Sequence, residues 1–280
     1  MLDPDKWFTE ICEEGGSALS LELRKKLHSE TTPFQTIDIY ETTAFGNLMV
    51  IDGFVMLTAR DNFFYHEMMS HPALFSHNDP KRIVIIGGGD CGTLREVLRH
   101  DSVNHVLQVE IDERVTRLSE QFFPELCELN EDPRADFLFG DGIEWMTDAN
   151  DDSVDIIIVD STDPIGPAVG LFNTPFYTQC HRVLTASGIM VQQSESPLIH
   201  QDILASMRKN MHTAGFDQVH TLCFPQPTYP TGYWSATMAR KGAAGLQAFR
   251  EDAARSRPFE TRYYNADTHR AALAVPEFMK

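Results

Sequence analysis

No stretch of the 280-residue sequence is apolar for long enough to cross a bilayer, so no transmembrane helix is expected. Its opening residues, MLDPDKWFTE, are acidic where a secretory leader is basic, and no apolar segment follows them. Cysteine is scarce. Cys12, Cys91, Cys127, Cys180 and Cys223 are widely spaced, odd in number and form no C-x-x-C pair. That supports neither a disulfide framework nor a zinc site, and it suits a reducing, cytoplasmic setting. Basic residues are in deficit: 23 Lys and Arg face 41 Asp and Glu, a formal net charge of −18. Such a balance argues against nucleic acid and anionic membranes as partners and fits cationic ones. Solubility alone also explains an acidic chain, so the charge bears on function only if the acids converge on a site.

Hydrophobic residues are present at 42%, enough for a sizeable core. In the first sixty residues, Phe34 to Tyr40 alternate apolar and polar as a half-buried strand does, and Leu48 to Ile51 form an apolar run. Asp52-Gly53 after that run is a hairpin signal, so residues 1–60 read as a small antiparallel β-domain. From Asn62 the pattern changes. A helix is expected up to the Asn78-Asp79-Pro80 breaker, followed by apolar runs that alternate with amphipathic stretches. The strands are Ile83 to Ile86, Val106 to Val109, Phe137 to Phe139, Asp155 to Val159 and Ile189 to Gln192. Helices are expected around Leu94, Val97 and Leu98, over Arg114 to Phe122, and over Pro175 to Leu184. Such alternation predicts α/β architecture with a doubly wound parallel sheet over residues 61–280.

In an open α/β sheet, ligands bind beyond the carboxyl ends of the strands. Here those ends read Gly87-Gly-Gly-Asp-Cys-Gly92, Glu110-Ile-Asp112, Gly140-Asp-Gly142 and Asp160-Ser-Thr-Asp-Pro164. Each carries at least one acid, so the charge does converge. Gly87-x-Gly89-x-x-Gly92 between a strand and a helix matches a nucleotide-binding loop, with Glu110 placed to hold a ribose. Asp90 restricts the ligand, because a carboxylate in that loop would meet a pyrophosphate. Like charges about 4 Å apart cost roughly 4 kcal/mol at an effective dielectric near 20. NAD is therefore disfavoured, and so is the carboxylate of ordinary S-adenosylmethionine. A sulfonium nucleoside that keeps its amine but lacks the carboxylate avoids the conflict. Other readings stay open: Asp90 as a helix cap, Glu110 as a helix-start acid, Asp141 and the Asp160/Asp163 pair as turn formers.

These four segments resemble the signature of the spermidine synthase (polyamine aminopropyltransferase) family, with Asp160-x-x-Asp-Pro-x-Gly-Pro167 as the fourth. So do Trp7-Phe8-x-Glu10, Tyr65-His-Glu-Met68, Gln193-Ser-Glu-Ser-Pro197, Pro227-Thr-Tyr-Pro230 and Arg262-Tyr-Tyr-Asn265. The resemblance runs through nearly the whole chain. It implies a Rossmann-like, class I methyltransferase-type domain behind the small β-domain, assembled as a homodimer or homotetramer. It further implies aminopropyl transfer from decarboxylated S-adenosylmethionine to putrescine. The positions implied for the donor are Gln35, Gly87, Asp90, Glu110, Asp141 and Gly142; those for the amine are Glu10, Tyr65, His66, Asp160, Asp163, Glu195 and Tyr229. Without the resemblance, Tyr65 and Tyr229 read as packing residues, His66 as a core histidine, and Glu10 and Glu195 as surface acids.

An amine with a pKa near 10.4 is protonated at neutral pH and cannot attack. Asp160 is the expected general base, with Tyr65 orienting the nitrogen. No metal, covalent intermediate or redox cofactor is required, the sulfonium nucleoside being a co-substrate. Two departures from the family pattern stand out. Cys91 replaces a glycine of the loop, and Met56, Ala59 and Asn62 stand where many members have Gln, Glu and Glu. The second leaves the acceptor open among putrescine, cadaverine, agmatine and spermidine. The competing readings are a small-molecule methyltransferase and a catalytically silent polyamine-binding protein.

Overall fold

The computed structural model describes residues 2–164 and 166–280; Ile165, inside the Asp-Pro-x-Gly-Pro segment, lies outside them, as does the side chain of Pro167. The N-terminal sheet is built from β1 (Trp7–Cys12), β2 (Ser17–Thr31), β3 (Thr36–Thr42), β4 (Asn47–Ile51) and β5 (Phe54–Thr58), paired antiparallel in chain order. Asp52 and Gly53 both have positive φ, 50° and 92°. That is the twist a two-residue hairpin turn requires, and it joins β4 to β5 as the dipeptide suggested.

One face of this sheet buries Ile37, Ile39, Met49, Ile51 and Leu57 against Val115, Leu118, Phe123 and Leu126 of the second sheet's flank. At ~2 kcal/mol per fully buried aliphatic side chain, the two parts share a core.

Helix α1 (Phe63–Ser76) opens the remainder of the chain. It is buried all round from Tyr65 to Ser76 and keeps Pro72 in its interior. Packing on every side offsets the backbone hydrogen bond that the proline removes. Then follow β6 (Arg82–Gly87), α2 (Gly92–Leu98), β7 (His105–Glu110), α3 (Glu113–Phe122), β8 (Ala135–Phe139), α4 (Gly142–Asp148) and β9 (Val154–Asp160). After them come α5 (Thr174–Val183), β10 (Leu184–Gln193), α6 (Gln201–Thr213), β11 (Gln218–Pro225), β12 (Tyr233–Arg240), α7 (Glu251–Arg255) and α8 (Ala266–Ala272). The seven strands lie in the order β11-β12-β10-β9-β6-β7-β8. β8, β7, β6, β9 and β10 run parallel to one another, whereas β12 runs antiparallel to both β10 and β11. The fold is thus α/β and Rossmann-like, with the small antiparallel sheet at its N-terminus. One strand of the large sheet is reversed, because β12 returns as a hairpin from β11.

Glu67 joins one motif of α1 to one near the C-terminus. Its 2% exposed carboxylate accepts the backbone N–H groups of Arg262, Tyr263 and Tyr264 at 2.7, 2.8 and 2.7 Å. The Tyr65-His-Glu-Met and Arg262-Tyr-Tyr-Asn segments are therefore joined by a structural clamp. No helix among the described residues is long and apolar enough to cross a membrane.

Candidate active site

β6, β7 and β9 each end at the same edge of the sheet, and the first acid after each turns into one cavity of ≈ 170 Å³. Asp90, Glu110, Asp141 and Asp160 all line it, together with Gln35 from the N-terminal sheet. A narrower cavity of ≈ 40 Å³ adjoins it and carries Glu10 and Asp163. The two share Met56, Tyr65, Ser161, Thr162 and Tyr229 in their walls, so the tyrosines form a neck between them. Neither cavity has a lysine, arginine or histidine among its described lining residues.

The glycines of the loop serve the protein first. A Cβ on Gly87, whose φ is 82°, would lie 2.2 Å from the backbone oxygen of Asp160. Gly88 N–H donates to that same oxygen at 2.7 Å, which locks the loop to the end of β9. A Cβ on Gly92 would lie 2.2 Å from the ring of His66. Cys91 adopts φ 68° as the residue before α2, a left-handed conformation that costs a cysteine ~1 kcal/mol relative to glycine.

Asp160 Oδ1 accepts the Tyr65 hydroxyl and Oδ2 accepts the Thr93 hydroxyl, both at 2.6 Å. Burial, and then the charge of Asp90, push its carboxyl above the usual range against these donors. Tyr65 is itself driven far up by burial and by Asp160, so it stays a phenol. Tyr229 packs on it with ring centres 5.9 Å apart and donates to the Met56 carbonyl at 2.6 Å.

Asp90 does two things. Its Oδ1 accepts the Gly92 N–H at 2.7 Å, the capping role left open above, while Oδ2 lies 3.1 Å from His66 Nε2. Burial would raise this carboxyl, but His66 and the Gly92 N–H hold it below its ordinary value. His66 is raised in turn by Asp90 despite its own burial. The histidine stands behind Asp90 and lines neither cavity.

Glu110 accepts the Asp112 N–H at 2.9 Å, and burial lifts its carboxyl to about 7. Asp141 caps α4 through the Ile143 N–H at 2.7 Å and remains exposed. Gly142 follows it, where a Cβ would meet the Ile86 side chain at 2.5 Å.

In the narrower cavity, Glu10 is 6% exposed and accepts the Val55 N–H at 2.6 Å. Burial raises it, and Asp163 is raised much further by burial, Glu195 and Glu10. Glu195 is 1% exposed and holds φ 64°. It sits behind Asp163 rather than in the cavity wall. Of the residues that depart from the family pattern, Met56 faces both cavities, whereas Ala59 and Asn62 line neither. Asn62 is buried and donates to the Thr58 carbonyl at 2.9 Å.

Sequence reasoning missed several supporting residues. Asp112 caps α3 and accepts Thr32 Oγ1 at 2.7 Å and Gln35 Nε2 at 3.0 Å, so it positions Gln35 across the two sheets. Thr93 holds Asp160, and buried Asp61 accepts the Thr58 hydroxyl at 2.6 Å. Asp112 stood in a quoted motif; the others carry no signal of spacing.

With these features in place, the comparisons with known proteins point one way. Residues 6–59 match the family model described as the spermidine synthase tetramerisation domain, and residues 62–247 match the spermine/spermidine synthase domain. A polyamine aminopropyltransferase of Nitrosococcus oceani is 63% identical over 279 residues, which cover 100% of this chain and 97% of that protein. One of Methylococcus capsulatus is 63% identical over 278 residues, covering 99% and 97%. Among solved structures, a spermidine synthase in complex with the transition-state analogue AdoDATO superposes with a TM-score of 0.93 at 33% identity, covering 97% of this chain and 92% of that one. The spermidine synthase from Thermotoga maritima gives 0.91 at 33% identity, with the same coverage. The chain belongs to the spermine/spermidine synthase family of aminopropyl-transferring enzymes.

Proposed function

We propose that this enzyme transfers the aminopropyl group of decarboxylated S-adenosylmethionine to putrescine, with Asp160 as the general base. The observation that carries this reading is the pair of joined cavities lined by acids and by no described base. Such walls favour a donor without a carboxylate and an acceptor with two ammonium groups. Glu110 would accept the ribose hydroxyls, Asp141 would reach the adenine amine, and Asp90 would face the donor's amine. The glycine loop and Gln35 shape the remaining wall.

The acceptor would enter through the narrow cavity with its far ammonium toward Glu10, Asp163 and, behind them, Glu195. Its near ammonium would reach the neck. There Asp160 removes one proton, aided by a carboxyl held above its usual range. The freed nitrogen lone pair forms the new bond to the aminopropyl carbon. The carbon–sulfur bond breaks with its electron pair going to sulfur, so methylthioadenosine leaves uncharged. Tyr65 and Thr93, each 2.6 Å from one Asp160 oxygen, fix the carboxylate's direction while leaving lone pairs free to accept the proton. Most of the acceleration would come from holding nitrogen, carbon and sulfur in line.

Putrescine is the acceptor proposed because two carboxyls lie in a small second cavity; Met56 offers an apolar contact where it meets the first. Incubation with the decarboxylated donor and a panel of diamines and triamines, with products identified by mass, tests the acceptor. Preferential use of a longer amine would move the assignment away from putrescine. The Asp160→Asn variant should still bind methylthioadenosine but lose roughly 10²- to 10⁴-fold in turnover. Near-normal turnover in that variant would remove Asp160 from the role of base.

A further inference from the structure

Outside the two cavities, three side chains from separate parts of the chain come together. Cys12 ends β1, Glu14 lies in the turn to β2, and His200 stands just before α6. One ligand atom from each of the three lies within 4.8 Å of the other two. The Cys12 thiol is free and buried, and Glu14 is exposed, so the group opens to solvent on one side.

The histidine is oriented for a ligand. Its Nε2 faces Glu14, 4.0 Å from Oε2, while Nδ1 lies 3.0 Å from Oε2 of Glu195. Glu195 is 1% exposed, and its Oε1 has no hydrogen-bond partner among the described residues. His200 Nδ1 likewise has no hydrogen-bond partner, so its contact with Glu195 is close without being aligned; metal-bound imidazoles carry such a carboxylate beside the nitrogen that does not hold the ion.

We propose that Cys12 Sγ, Glu14 and His200 Nε2 form a site for a zinc-class divalent cation, with a water in the fourth position. One sulfur, one imidazole and one carboxylate suit a borderline-soft ion and are a poor set for magnesium or calcium. Bond lengths of about 2.0–2.3 Å place the ligand atoms of a tetrahedral ion about 3.3–3.8 Å apart. The exposed Glu14 side chain therefore has only a short distance to swing. The thiol proton passes to solvent on coordination. No step of the transfer reaction runs through this ion. It ties the first hairpin of the N-terminal sheet to the segment that carries Glu195, at the back of the amine cavity. Two of the ligands lie near the N-terminus, and His200 follows Glu14 by 186 residues, which is why the cysteine spacing gave no sign of the site.

Cobalt(II) titration into the metal-free enzyme tests the proposal. The wild type should develop a thiolate-to-cobalt charge-transfer band that Cys12→Ser lacks. No band, or the same band in Cys12→Ser, would overturn the site. Zinc at about 100 times its dissociation constant should raise the unfolding temperature by about 5 °C in the wild type. Equal stabilisation of Cys12→Ser would assign the effect to other surface groups and also overturn it. If Cys12→Ser does not fold, Glu14→Gln serves. It should bind cobalt at least about tenfold more weakly, and unchanged affinity would exclude the three-ligand site.

Discussion

A single buried carboxyl shows what this site costs the fold. Glu110 has an ordinary value near 4.5, and burial lifts it to about 7 in the folded chain. A raised folded value means stability that is intact below pH 4.5 and lost as the pH climbs toward 7, where the folded state must give up a proton it prefers to keep. The size is about 3 kcal/mol at most, from 1.36 kcal/mol for each unit. Glu110→Gln keeps an oxygen for the Asp112 N–H but has no charge to bury. Urea unfolding at pH 8 should find the variant more stable than wild type by up to about that amount. At pH 4.5 the two should unfold alike, and at both pH values methylthioadenosine should bind the variant more weakly. A stability difference independent of pH would refute this account of Glu110. The acids at the strand ends were legible because each follows an apolar run. Thr93, Asp61 and the clamp made by Glu67 were not: Glu67 meets partners 195 or more residues away, and nothing local marks such a contact.

At the scale of elements, α3 begins with a residue that also fastens the two sheets. Asp112 caps the helix through the Arg114 N–H at 3.1 Å and receives Thr32 and Gln35 from the N-terminal sheet. Asp112→Ala removes the cap and strands these donors, for an expected cost of about 1–3 kcal/mol in unfolding free energy. Gln35 also loses its anchor, so nucleoside affinity should fall although Asp112 lines neither cavity. Calorimetry with methylthioadenosine would show it, and unchanged affinity would mean that Gln35 needs no support. The strands and helices up to β10 were largely readable from their apolar periodicity. Asn173 caps α5 and Pro175 sits in its first turn, so even that boundary was visible. β1, β2, α4 and every element after β10 (α6, β11, β12, α7 and α8) were not anticipated one by one. The reversed β12 depends on which neighbour its backbone meets, which periodicity does not encode.

For the whole molecule, the acids matter as a set. Asp160, Asp163 and Glu10 are all raised above their ordinary values, burial first in each case. On the proposed function an ammonium group would bind their ionised forms, so the complex would hold fewer protons than its parts. Diamine affinity should therefore rise as the pH climbs above the ordinary carboxylate range, and proton release should accompany binding. The trend ends where the amine itself loses its charge, near pH 10.4. Calorimetry in two buffers of different ionisation enthalpy measures the protons directly; a flat affinity without proton release would contradict the linkage.

The residues alone determined the α/β class, the hairpin at Asp52-Gly53, the placement of Asp90, Glu110, Asp141 and Asp160 at strand ends, and a resemblance that named the family. These depend on periodicity and on short motifs, which are properties of neighbouring positions. Tertiary structure decided the rest. Only folding shows that His66 backs Asp90, that Glu195 backs Asp163, that Asp112 steadies Gln35, and that Cys12, Glu14 and His200 meet at all. The physical reason is common to all four: an ion pair, a desolvated carboxyl or a set of ligand atoms is fixed by distance in space, and distance along the chain does not set it.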